Sequence, residues 1–331
     1  MRTWFLIGVL VLLWGCGGQE LSELEVPDSS GADLTSPDSL PARSYLDANG
    51  HLRIEDAALE AALREVSGVG EGPLTPAALA PFRTLTLNAK GISDVGPLSE
   101  LKGLENLNLT GNAISDLTPL AGMTGLAALW LGQNQIEDLS SLAGLQSLKV
   151  LEVHGNRVAD ISALSGLGQL ERLNLWKNSV ASLKPLAGCG KMVHLDIREN
   201  AVVDLGALAG MPRLKVLMAG ENRILDLEPL RVLSGLEQVL LGRNQVADLS
   251  PLADLHNLVE VRLAYNKVES VLPLAGLQQL EFLELRKNRV QDVSPLHGMS
   301  GLKRVHIWDN PLSLESVAAL RRALPVSKVM Y

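Results

Sequence analysis

The chain has 331 residues, of which 47% are hydrophobic but only 3% aromatic, so aliphatic side chains must build its core. Its formal net charge of −8 is uneven: residues 19–79 carry twelve acids against three bases, whereas residues 80–331 carry twenty-five of each. A near-neutral body without a basic excess excludes a general nucleic-acid binder, and two isolated cysteines, Cys16 and Cys189, exclude a disulfide framework.

The N-terminus reads as an export signal. Arg2 precedes an apolar run from Trp4 to Leu13 that is too short to span a membrane as a helix. Leu13-Trp14-Gly15-Cys16 then resembles a bacterial lipobox, which implies acylation of Cys16 after cleavage at residue 16. The alternative is an ordinary signal cut near Gly17 or Gly18, with Cys16 discarded. By resemblance to Gram-negative lipoproteins, Gly17 after the cysteine implies the outer membrane. Membrane contact is then expected only through the lipid anchor.

Residues 17–50 are rich in Ser, Pro, Asp and Glu without apolar periodicity, the composition of a flexible acidic tether. Residues 51–80 change character. Asp56 can cap a helix that places Leu59, Leu63 and Val66 on one face, and Thr75-Pro76 opens a second short helix. This segment is expected to form an N-terminal helical cap.

From residue 81 to 310 one pattern dominates. Asn112, Asn134, Asn156, Asn178, Asn200, Asn222, Asn244, Asn266, Asn288 and Asn310 recur every 22 residues without insertion, and Lys90 holds the same phase one unit earlier. In the unit around Asn134, Leu129 and Leu131 alternate as the inward face of a strand, and Ile136, Leu139, Leu142 and Leu145 come after them. About eleven such units stack so that like positions align and bury a continuous core. The asparagines are expected to turn inward and satisfy turn backbone. The aspartates Asp94, Asp116, Asp138, Asp160, Asp204, Asp226, Asp248 and Asp292 are expected to cap turns rather than bind a metal, each unit offering one carboxylate. Cys189 occupies a leucine slot and should be core. Residues 311–331 form the C-terminal cap, with a helix over 313–324 and an extended end.

These repeats resemble the internalin-like class of bacterial leucine-rich-repeat proteins, and the helix over 57–66 resembles that class's N-terminal cap. The resemblance implies an α/β solenoid, a horseshoe with parallel strands on its concave face and short helical or irregular convex turns. It also implies protein recognition through that face.

The five aromatic residues between Arg83 and Asn310 all avoid inward slots and fall on or beside the outward strand face. Aromatics held at a solvated sheet mark binding surfaces. One patch joins Trp130 and Trp176 with Glu152, His154, Arg172, Lys177, His194, Asp196 and Arg198. A second gathers Arg262, Tyr265, Phe282, Glu284, Arg286, His306 and Trp308. The first two strands expose only Thr84, Thr86, Asn88, Asn106, Asn108 and Thr110. His154, Glu152 and Asp196 invite a catalytic reading, but no nucleophile shares their face and an open sheet does not enclose chemistry. No phosphate-binding glycine motif or histidine cluster implies a cofactor or metal. The expectation is a non-enzymatic envelope module binding a protein partner, with a carbohydrate-binding (glycan) or envelope-structural lipoprotein as the alternative.

Overall fold

The computed structural model describes residues 44–331, so the leader, Cys16 and the tether as far as Arg43 lie outside the described residues. Each 22-residue unit forms one coil. A three-residue strand is followed by a tight turn through the asparagine, a descending segment, and in most coils a 3-10 turn. The strands are β1 (Thr84–Thr86), β2 (Asn106–Asn108), β3 (Ala128–Trp130), β4 (Val150–Glu152), β5 (Arg172–Asn174) and β6 (His194–Asp196). They continue as β7 (Val216–Met218), β8 (Gln238–Leu240), β9 (Glu260–Arg262), β10 (Phe282–Glu284), β11 (Arg304–His306) and β12 (Lys328–Met330).

All twelve pair in parallel, in chain order, as one open sheet. Leu85 faces Leu107, Leu107 faces Leu129, and the 22-residue offset holds through Leu283 and Val305. Only the last pair differs, Val305 facing Val329 at an offset of 24. A constant offset sets each position opposite its own equivalent, so inward slots stack into one core and outward slots into rows. In the coil after Gly125, Leu126, Leu129, Leu131, Ile136, Leu139, Leu142 and Leu145 are at most 1% exposed. Burying one such side chain contributes about 1.5–3 kcal/mol, but only where adjacent coils cover it.

Two side-chain ladders hold the turns. Asn134 donates to the carbonyls of Leu109 and Leu131, both at 3.0 Å, and accepts from the amide of Ile114 at 3.0 Å. It thereby ties its own coil to the one before, and the nine other asparagines repeat the arrangement. On the other side, Asp138 accepts from the amide of Ser140 at 2.7 Å, and each of the eight predicted aspartates caps its turn likewise. Ser182 and Ser270 substitute through their hydroxyls. Cys189 is fully buried, as its leucine slot requires.

Helix α1 (Ala57–Ser67) is capped by Asp56 and buries Leu59, Ala62 and Leu63, while α2 (Pro76–Leu79) starts from Thr75. Asp56 also accepts from the Ser93 amide and hydroxyl at 2.7 and 2.9 Å, fastening the cap to the first coil. Helix α3 (Leu314–Ala323), capped by Ser313, closes the other end with Val317 and Leu320. Two features extend the sequence reading. The C-terminal extended segment joins the sheet as β12. At the other end, the folded part begins ahead of the boundary at residue 50, because Leu46 bridges Leu52 around an Asp47-capped turn. The ring of Tyr45 lies against Gly96, where a Cβ would stand 2.1 Å away, and the Tyr45 amide donates to Glu100 at 3.0 Å. The acidic composition of 17–50 masked this Asn49-Gly50 turn.

Candidate functional site: the concave sheet

Outward side chains of β1–β12 form rows along the concave face, and the decisive row lies two residues before each asparagine. Through the middle of the molecule it reads His154, Trp176, Arg198, Gly220, Gly242, Ala264, Arg286 and Trp308. Two stacks and a gap result. His154 stacks on Trp176 with ring centroids 6.2 Å apart, and the Arg198 guanidinium lies 5.2 Å from the same ring. These two partners come from the coils on either side of Trp176. Its Nε1 donates to Glu199 at 2.8 Å. The second stack holds Arg286 between Tyr265 at 5.2 Å and Trp308 at 5.4 Å. Arg243 and Lys287 also approach Tyr265, at 4.6 and 5.0 Å.

Between the stacks the row holds no side chain larger than a methyl. Gly220, Gly242 and Ala264 floor an open depression of about 230 Å³, walled by Trp176, Arg198, Tyr265 and Arg286 and bordered by Leu240 and Arg262. That volume suits one inserted side chain, below the size of ordinary small-molecule sites.

The cations are held by a local device. Asp196 and Arg198, Glu260 and Arg262, and Glu284 and Arg286 are ion pairs between residues two apart, along a strand or the extended chain just after it. Alternation puts such residues on the same face, so each acid steers its own arginine. Asp196 corrects the sequence reading. It is 3% exposed and accepts from Arg198 Nε at 2.9 Å and from the Arg198 amide at 3.1 Å. It lies under the surface and positions Arg198 rather than meeting a partner. Hydrogen bonding to Asp196 raises the Arg198 pKa, a consequence of the pair.

The remaining predicted residues divide between two places. Glu152 approaches His154 at 3.9 Å beside the first stack, with Arg172 exposed and His194 half-buried nearby. Burial, then the charge of Arg172, lowers the His194 pKa against the opposing pull of Asp196 and Glu152, so this imidazole is neutral at pH 7. Phe282 sits between Arg262 at 4.8 Å and Arg304 at 5.3 Å, and meets His306 edge-on at 4.9 Å. Burial also lowers the His306 pKa. Trp130 stands apart: among the described residues no ring or cation is stacked on it.

Sequence reasoning missed the depression because it searched for large side chains. The signal was a row reading Gly, Gly, Ala between Arg198 and Arg286. Of the turn residues, the sequence reading named Lys177 and Tyr265 and left out Gln133, Glu199, Glu221, Arg243 and Lys287; all seven adopt left-handed backbone, with φ between 51° and 58°.

A leucine-rich-repeat family model matches residues 102–158. No curated protein sequence matches the chain. Among solved structures, an internalin (InlF) of Listeria monocytogenes shares 26% identity over 83% of this chain and 88% of that one, with a TM-score of 0.73. Internalin C2 of the same organism shares 32% identity over 68% of this chain and 91% of that one, with a TM-score of 0.55. The InlJ functional domain, also from Listeria monocytogenes, shares the fold at 17% identity and a TM-score of 0.68, over 83% of this chain and 68% of that one. That domain includes a cysteine ladder; here Cys189 is the single cysteine among the described residues.

Proposed function

The chain belongs to the internalin-like leucine-rich-repeat proteins, and on that basis we propose that it is a non-enzymatic binding module of the bacterial cell envelope. It holds a protein partner on its concave face between Trp176 and Trp308, tethered by a lipid on Cys16. The observation that carries this reading is the pair of aromatic–cation stacks flanking an open depression. Rigid, half-buried Trp, Tyr and Arg side chains around a pocket for one side chain are the composition of protein hot spots. A glycan fits this half of the face less well. Sugar rings stack on a free indole face, and the Trp176 ring already carries His154 and the Arg198 guanidinium. Catalysis finds no support in the His154–Glu152 pair, because the imidazole is stacked beneath Trp176 on an open surface.

The test fills the depression without touching the fold. A Cβ on Gly242 would meet only the Ala264 carbonyl, at an ordinary 3.5 Å. Backbone strain therefore does not bar a side chain there, and Gly242→Trp should keep the parent's cooperative unfolding, which denaturant titration of both proteins checks. Used as bait against envelope extracts, the parent should enrich a protein that Gly242→Trp does not. Identical captured sets would refute the reading. The anchor is tested separately: fatty-acid labelling of the chain in bacteria should vanish in Cys16→Ser, and persistence of the label would place the lipid elsewhere.

A further inference from the structure

Strands β1–β3 differ in chemistry from the rest of the concave sheet. The outward strand positions of β1–β3 carry no charge; β7 and β8 share this, but Glu221 and Arg243 follow them on the turns, whereas the one charge on the first three turns, Lys90, is paired with Glu65 of the cap helix. They present Thr84, Thr86, Asn88, Asn106 and Asn108, ending at Trp130. Register places Thr86, Asn108 and Trp130 side by side in one row, with neighbours ~4.8 Å apart. Asn108 accepts from the Thr110 amide at 3.0 Å, which fixes its side chain and leaves both amide donors unspent. Asn106 gives one donor to Thr84 at 3.1 Å. Trp130 is the exception among the concave aromatics: Trp176, Tyr265, Phe282 and Trp308 each carry a cation over the ring, and Trp130 carries none among the described residues.

We propose that β1–β3 form a second binding site, for an uncharged, β-linked oligosaccharide of gluco configuration. Such a sugar has equatorial hydroxyls, which leaves a flat face of axial C–H groups to lie on an indole. Its hydroxyls both donate and accept, as do the primary amides and threonine hydroxyls beside Trp130. The outward strand positions offer a charged ligand no counter-charge, and Glu152, across from Trp130, ends this uncharged row. The site shares no residue with the Gly220–Gly242–Ala264 depression, so it stands or falls independently of the protein partner.

The probes are the β-1,4-linked hexasaccharides of glucose and of N-acetylglucosamine, with the α-1,4-linked glucose hexasaccharide as the contrasting shape. Each is titrated into the full-length protein by calorimetry and by tryptophan emission, at low and at high salt. The proposal expects saturable binding of at least one β-linked probe, at least tenfold tighter than the α-linked one and changed less than twofold by salt. Trp130→Ala and Asn108→Ala should each weaken it at least tenfold. Trp130→Phe keeps an aromatic face and should retain binding while removing the emission change, which separates stacking from misfolding. Gly242→Trp should change affinity less than twofold. No binding by either β-linked probe at millimolar concentration, binding that Trp130→Ala leaves intact, or loss in Gly242→Trp overturns the proposal.

Discussion

At the residue scale, the asparagine ladder does the same work at every coil but in different surroundings. Asn266 is buried, donates to Leu241 and Leu263 carbonyls at 2.9 and 3.1 Å, and accepts from the Val246 amide at 2.9 Å. Asn266→Ala should cost about 1–3 kcal/mol in denaturant unfolding, because three backbone groups lose their partner away from water. Its role was legible from spacing alone. The residue before it was not. Nine coils place a non-glycine residue in left-handed backbone at that point, while Gly111 and Gly155 occupy it in the other two. Two glycines in eleven positions do not announce a left-handed turn, and the asparagine that enforces it acts through side-chain bonds. Glycine relieves about 1–2 kcal/mol of Cβ repulsion there and costs somewhat less in chain entropy. Glu221→Gly should thus stabilise by a few tenths to about 1 kcal/mol in the same measurement. Tyr265 shares this backbone (φ 57°), so its conformation is a property of the repeat and not a mark of function.

At the element scale, the caps decide how the ends of the solenoid open. Burial of the Asp56 carboxyl pushes its pKa up. Amide bonds from Ser93, Asp94 and Leu59, with the Ser93 hydroxyl, outweigh that and hold it at about 2 against an ordinary 3.8. A depressed folded-state pKa contributes stability in full above the unfolded value, and that contribution drains away as pH falls toward the folded one. Hydrogen exchange of α1 amides should accelerate between about pH 4 and pH 2 ahead of the central strands, and Asp56→Ala should show the same fast exchange at neutral pH. Uniform protection across the chain would contradict this. Both cap helices were readable from capping residues and helical spacing. The 44–52 turn was not, since what holds it, the Tyr45 ring on Gly96, joins residues 51 apart with no periodic signal. Every other coil but one has a larger residue than glycine where Gly96 sits, the exception being Gly206.

At the scale of the whole molecule, a register of 22 makes architecture and site separable. Deleting residues 200–221 removes one complete coil and joins Glu199 to Asn222 in phase. The variant should fold cooperatively, with slightly lower stability, since only one nearest-neighbour interface is lost. It should bring the two aromatic–cation stacks closer by ~4.8 Å and abolish partner capture. The rows of outward side chains were legible in the sequence, because alternation and period suffice to place them. Pairing within the rows was not: it depends on which way Arg198 and Arg286 lean, and their strand neighbours Asp196 and Glu284 settle that.

The claim that the concave depression is where the protein partner sits is tested most directly by photo-crosslinking in cells. A benzophenone amino acid is placed at residue 221, on the rim of the depression, or at Leu225, which is 55% exposed outside the sheet. Residue 221 should yield a crosslink to one discrete protein, and residue 225 should not. Crosslinks from 225 with none from 221, or the same products from both, would contradict the account.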